Sequence, residues 1–137
     1  MSVRSFHLKD KQQVAALWRT VFPDDPAHNQ PEQMIDLKLS VQDDLFFVYE
    51  QNGQTKGSVM AGFDGVRGWI HKLAAHPDLA GVGVGRQLMA AAEAGLKEVG
   101  CTKVNLQVRE TNTQVIGFYK KLGYDIEPRT SMGKRLT

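Results

Sequence analysis

Residues 73–89 read Leu-Ala-Ala-His-Pro-Asp-Leu-Ala-Gly-Val-Gly-Val-Gly-Arg-Gln-Leu-Met, and no other stretch constrains the fold as much. The order is strand end, glycine loop, helix start. Gly81, Gly83 and Gly85, at alternate positions, let the backbone pass close to a bulky ligand without a Cβ in the way. The helix that follows points its unpaired N–H groups at whatever rests on the loop, which makes an anion site. A phosphate-bearing ligand is the first expectation, and the kind of loop decides the function.

Before this loop the chain reads as antiparallel structure. Val3–Phe6 forms a short strand pattern, and Asp10 stands as N-cap to a helix carrying Val14, Leu17, Trp18 and Val21 at helical spacing. Phe22-Pro-Asp-Asp-Pro26 ends it, and Pro31 opens a second helix to Leu39. Two strand runs, Leu45–Tyr49 and Gly57–Ala61, flank the hairpin dipeptide Asn52-Gly53. A second such signal, Asp64-Gly65, leads into Trp69–Ala75. After the loop, a helix from Val84 to Val99 buries Leu88, Met89, Ala92 and Leu96 and ends at Gly100. Lys103–Val108 reads as a strand, Asn112–Leu122 as a helix closed by Gly123, and Tyr124–Leu136 leaves room for a final hairpin. Hairpins first and one βαβ crossover in the middle predict a mixed-sheet α/β domain, not a doubly wound one.

The 137 residues fit one domain, 1–137, large enough for a core without metal or disulfide support. A net charge of +2 with no basic run argues against nucleic acid. The lone Cys101 excludes an internal disulfide and reads as structural. No signal segment or membrane-length apolar run appears, so no membrane role and a cytoplasmic location are expected. No His, Cys and carboxylate group has metal spacing, so no metal is expected.

The glycine loop fits neither common nucleotide motif. A dinucleotide fingerprint needs G-x-G-x-x-G after the first strand; here its third position falls on Arg86 and the loop lies mid-chain. No Gly-Lys-Ser/Thr follows, as a P-loop requires. A plain tight turn stays open as the bland reading.

Leu73-x-Ala75-x-Pro77, followed by Gly81-x-Gly83-x-Gly85-Arg86-x-Leu88, resembles the coenzyme-A motif of the GNAT acyltransferases. Asn112, then Phe118-Tyr-Lys-Lys-Leu-Gly-Tyr124, resembles that family's second signature in the same order and at a normal separation. The small RimI-like bacterial members are the nearest resemblance. It implies the GNAT fold: a mixed, mostly antiparallel sheet, a central βαβ crossover and helices on both faces. The implied activity is transfer of an acetyl group from acetyl-coenzyme A to an amine, either a small molecule or a peptide or protein N-terminus. A homodimer is common among such relatives. The rival reading is a GNAT-fold module that binds coenzyme A or a protein partner without catalysis.

The resemblance also distributes roles. Backbone donors from Val82 through Gly83, Val84, Gly85 and Arg86 to Gln87 are expected to cradle the phosphates. Leu73 would pair the pantetheine arm, Ala75 N–H would meet the thioester carbonyl, Asn112 would bond the arm, and Lys120 would face the phosphates beside Lys121. Asn112 can equally serve as a helix N-cap and the lysines as solvated side chains. Tyr119 is expected to protonate the leaving thiolate; by spacing alone it is equally a core aromatic. Two positions depart from the family pattern. Ala80 stands where an Arg or Gln usually opens the loop, so weaker coenzyme binding is expected. Gln107 stands where RimI-like proteins carry a basic Glu, and Gln cannot accept a proton. The base is therefore sought elsewhere: His71, placed by strand alternation on the face of Leu73 and Ala75, or Glu110 just past the strand. The acceptor side would hold Trp18, Phe22, Asp24, Asp25, His28, Glu32 and Asp36, acids beside aromatics that would suit a cationic amine.

Overall fold

The computed structural model describes residues 2–26 and 30–137. The chain divides into two compact units, residues 1–107 and 108–137. In the first, β1 (Ser2–Ser5), β2 (Phe46–Gln51), β3 (Gln54–Phe63), β4 (Gly68–Ala75) and β5 (Val104–Leu106) form one sheet in the order β1-β2-β3-β4-β5. Every pairing is antiparallel except β4–β5, which is parallel. The parallel pair needs a crossover, supplied by α3 (Val84–Glu98). Helices α1 (Lys11–Val21) and α2 (Pro31–Val41) come before β2.

Strand alternation sorts the core into two layers. Phe46, Val48, Met60 and Ala74 face α1 and α2 and pack with Val14, Ala15, Leu17, Trp18 and Ile35. The other face lies under α3, where Val84, Leu88, Met89, Ala92 and Leu96 are all buried. Gly57 marks how closely α3 lies on the sheet: a Cβ there would come within 2.9 Å of Val84 Cγ1. Asn52 and Gly53, with φ of 53° and 77°, make the β2–β3 turn that their sequence foretells. Among the described residues no helix is long and apolar enough to cross a membrane.

The second unit contains α4 (Thr113–Lys121), ended at Gly123 with φ 97°. The final hairpin expected over Tyr124–Leu136 does not form; no strand occurs there, and Ile126, Met132 and Leu136 stand exposed. Pro128, Gly133 and scattered charges break the apolar alternation that a half-buried strand requires.

Asp10 stands at the N-cap position of α1, as the sequence suggests, but its side chain is used elsewhere. It makes no side-chain cap bond to the helix. Its carboxylate instead takes both guanidinium arms of Arg4 at 2.8 and 2.9 Å, the His7 N–H at 2.8 Å and the Thr55 hydroxyl at 3.3 Å. Arg4 also donates to Glu50. The network ties β1, the turn before α1, β2 and β3 together. Desolvation pushes the buried Asp10 carboxyl up, but the bonds from Arg4 and His7 outweigh it and hold the group below its usual range. Its stabilisation is therefore present above its unfolded pKa of about 4 and lost as pH falls through the lower folded value. Asp10→Asn is expected to cost about 2 kcal/mol in urea unfolding near neutral pH. The gap to wild type should narrow in acid; a gap independent of pH would contradict the network's charged character.

Candidate functional site

The site begins with an irregularity in β4. Ser58 pairs with Ala74 and Met60 with His71, so β3 advances two residues while β4 advances three. The extra residue is a bulge at Lys72–Leu73, and Lys72 takes a φ of +54°. A non-glycine residue in that region costs about 1–2 kcal/mol, and contacts from both ends of the residue hold it there. The Ser58 hydroxyl donates to the Lys72 carbonyl at 3.0 Å. Ser58 in turn accepts from Trp18 Nε1–H at 2.8 Å. The Lys72 ammonium pairs with Asp25 and lies 4.5 Å from the Phe22 ring centroid and 5.6 Å from that of Trp18.

The bulge has two consequences. First, β4 keeps register with β5 only from Gly68–Val104 to Ile70–Leu106. This is why β5 ends at Leu106 instead of Val108. From His71 onward β4 has sheet pairing on its β3 side alone. His76 N–H donates to the Lys56 carbonyl of that side at 2.8 Å. Successive strand N–H groups alternate, so Ala75 N–H points to the open edge, and Leu73 N–H with it. Second, the extra residue switches faces. His71 shares the α1 and α2 face with its partner Met60, while Ala75, opposite Gly57, lies on the α3 face. The expected sharing of one face by His71, Leu73 and Ala75 is thus corrected: alternation holds only where no residue is inserted.

His71 reaches solvent. Partial burial of its ring, then the Lys38 and Lys72 charges, push the imidazole below its ordinary value. The neutral form able to accept a proton is therefore favoured. Lys38 is fixed nearby through Asp43 and the Ala61 carbonyl.

Beyond β4, Gly81 and Gly83 take φ of 79° and 88°, and Gly83 is the residue before the first turn of α3. Substitution there is strained although the space around both is open. Two of the donors expected at the loop are already engaged by the backbone. Val82 N–H is spent on the Leu79 carbonyl at 3.2 Å and Gln87 N–H on Gly83 at 3.1 Å. The donors left without helical partners are those of Gly83, Val84, Gly85 and Arg86. Arg86 and Ala80 are exposed at the loop.

In the second unit, Tyr119 is buried at 8% exposure and packs edge-on against Phe118 and Tyr124. Desolvation pushes its hydroxyl up to about 12, so it keeps its proton through neutral pH. Asn112 caps α4 by accepting from Val115 N–H at 3.3 Å, and Glu110 and Lys120 are exposed. Cys101 is buried and donates to the Lys103 carbonyl, the structural role expected of it. No metal-holding group occurs among the described residues.

Three of the four acceptor-side acids are already paired. Asp25 pairs with Lys72, Glu32 with Arg19 in two bonds of 3.0 and 2.6 Å, and Asp36 with Lys11 at 2.8 Å. His28 lies outside the described residues. A cavity of about 230 Å³ opens among Trp18, Phe22, Asp25 and nearby prolines.

The signature of the Acetyltransferase (GNAT) family matches residues 11–124. The chain belongs to the GNAT acetyltransferase family. It is 43% identical over 136 residues to an acetyltransferase of Pectobacterium atrosepticum, covering 99% of this chain and 96% of that one. Two solved structures share the fold. One is an aminoglycoside N-acetyltransferase in complex with CoA, with TM-score 0.79, 18% identity and coverage of 99% of this chain and 95% of that one. The other is the ribosomal-protein alanine N-acetyltransferase of Escherichia coli, with TM-score 0.73, 20% identity and coverage of 89% and 76%. The GNAT chain described here is thus an acyltransferase with the mixed sheet and two-sided helix cover that the sequence resemblance implied.

Sequence reasoning missed Lys72, Ser58 and the pairing of Asp25. No local signal marks a bulge in an apolar strand, and an ion pair 47 residues apart leaves no trace in spacing. The His71 imidazole is expected to titrate below about 6.5 in an NMR pH series, and Lys38→Met to raise it toward that ordinary value. A titration at or above 6.5 in the wild type would contradict the desolvation and charge argument.

Proposed function

We propose that this GNAT protein transfers the acetyl group of acetyl-coenzyme A directly to a primary amine within a ternary complex. The observation that carries the reading is the open edge of β4, with its Ala75 N–H, leading straight into the glycine loop and the first turn of α3. Phosphates fit the N–H groups of Gly83, Val84, Gly85 and Arg86, because the first turn of a helix leaves such donors without a helical partner and the helix end favours negative charge. Leu73 would pair the pantetheine arm. Ala75 N–H would stabilise the carbonyl oxygen as it gains charge. Asn112 and Lys120 receive their coenzyme roles, and Tyr119 its proton-donor role, from the second family motif.

Direct transfer makes two further demands on the chain. The acceptor amine must lose a proton before its lone pair attacks the carbonyl carbon, since a lysine-like amine has a pKa of about 10.4. His71, held neutral, is the proposed base, with Glu110 as the second candidate. As the C–S bond breaks, Tyr119 O–H is the proposed proton source for the departing sulfur. No protein nucleophile enters, so the acetyl group is never carried on the chain.

Ala80 and Gln107 favour a second reading, a coenzyme-binding module with little turnover, because each removes a functional group that the family pattern supplies. A broad amine screen followed by free-thiol release separates the two. The enzyme reading expects acceptor-dependent thiol release, with Tyr119→Phe lowering kcat by about 10²-fold while calorimetric coenzyme affinity stays within a few-fold. Coenzyme binding with no thiol release from any amine would leave the module. An unchanged kcat in Tyr119→Phe would remove the tyrosine from the chemistry.

A further inference from the structure

The cavity beside α1 has an unusual charge state for a pocket expected to take an amine. Its walls include the Trp18 and Phe22 rings and Pro23, Pro26 and Pro31, with Asp25 the one acid among the described lining residues. A carboxylate next to two aromatic faces is a good site for an ammonium group. Here the chain's own Lys72 fills it. The Lys72 side chain is only 11% exposed, pairs with Asp25, and lies over both rings. Arg19, also at the cavity, is taken by Glu32. The charges at this wall cancel in pairs.

Those pairs decide what the cavity can receive. A polycation would have to displace Lys72 from Asp25 or lie against a like charge, and either costs affinity. An anionic group would compete with Asp25 for Lys72. An apolar, uncharged group needs neither exchange and gains contact with the partly exposed Phe22 ring and the proline surface, beneath which Trp18 is buried. At about 230 Å³ the space is smaller than the roughly 300–1,000 Å³ of sites that take whole drug-sized ligands. It suits a single side chain of leucine or phenylalanine size. The cavity is also coupled to the reaction side of the sheet, because Trp18 is bonded through Ser58 to the Lys72 carbonyl, one residue after His71.

We propose that this cavity, its Asp25 neutralised by Lys72, receives the uncharged apolar side chain of the acceptor. The acceptors are then amines flanked by such a group, as in an amino-acid amide or a peptide with an apolar first residue, and not polycations. This rests on the acetyl-transfer reading above.

Trp18 fluorescence in a Trp69→Phe background reports binding without requiring turnover, since these are the chain's two tryptophans. L-phenylalanine amide is expected to give a saturable change and spermidine, at the same concentration, none. Lys72→Met frees Asp25 and should improve spermidine relative to phenylalanine amide by about tenfold. Asp25→Asn frees Lys72 instead, and should raise the preference for phenylalanine over its amide several-fold, which keeps the test available if the first variant fails to fold. The inference is overturned by spermidine binding the Trp69→Phe protein as tightly as the amide, by neither ligand binding, or by unchanged ratios in the folded variants. Thiol release from acetyl-coenzyme A in the same samples separates the two readings. The expected binding ranking without any thiol release sinks the transfer reading alone, whereas thiol release that prefers spermidine sinks the selectivity alone.

Discussion

The hydrogen bond from Trp18 Nε1–H to Ser58, passed on from the Ser58 hydroxyl to the Lys72 carbonyl, joins the helical layer to the strand that carries the site. Trp18 and Ser58 are both buried, at 1% and 0% exposure, so neither polar group could turn to water if the link were broken. An unsatisfied buried donor costs about 1–3 kcal/mol. That is comparable to the strain of Lys72 in the left-handed region, which is how a lysine comes to sit there. Once the bulge is fixed, β4 parts from β5 after Ile70, and the backbone of residues 71–75 becomes an edge inside a sheet that is otherwise paired.

The same residue sets the electrostatics. Lys72 carries its strained carbonyl to Ser58 and its ammonium to Asp25, so backbone geometry and charge at the α1 side are set by one side chain. His71, adjacent in sequence, feels that charge together with Lys38 and is biased to the neutral imidazole. Asp10 does comparable work away from the site, where its pairing with Arg4 anchors the first strand to the sheet. Both are charges whose value lies in position, since each is at least partly buried and already paired.

Much of the frame was readable from local rules. Asn52-Gly53 announced the β2–β3 turn, Pro31 the start of α2, and the apolar spacing of Leu88, Ala92 and Leu96 the buried face of α3. Gly81 and Gly83 have the positive φ that a glycine loop leads one to expect. What escaped the sequence was non-local. Alternation put His71 on the wrong face because it assumes that no residue is inserted, and the insertion at Lys72 is stabilised by Trp18 and Asp25, 54 and 47 positions away in the chain. Asp25, Glu32 and Asp36 looked available because spacing cannot reveal Lys72, Arg19 and Lys11 as their partners. The C-terminal segment had room for a hairpin, but Pro128, Gly133 and scattered charges deny it the alternation of a half-buried strand.

The proposed reaction turns on the open edge of β4, and amide hydrogen exchange tests that edge directly. In the free protein, Ala75 and Leu73 N–H should exchange much faster than Ala74 and His76, whose donors face β3, and acetyl-coenzyme A should protect Ala75 selectively along with Val84 to Arg86. Slow exchange at Ala75 in the free protein, or no added protection there on coenzyme binding, would contradict the claim that the Lys72 bulge exposes this donor for the thioester.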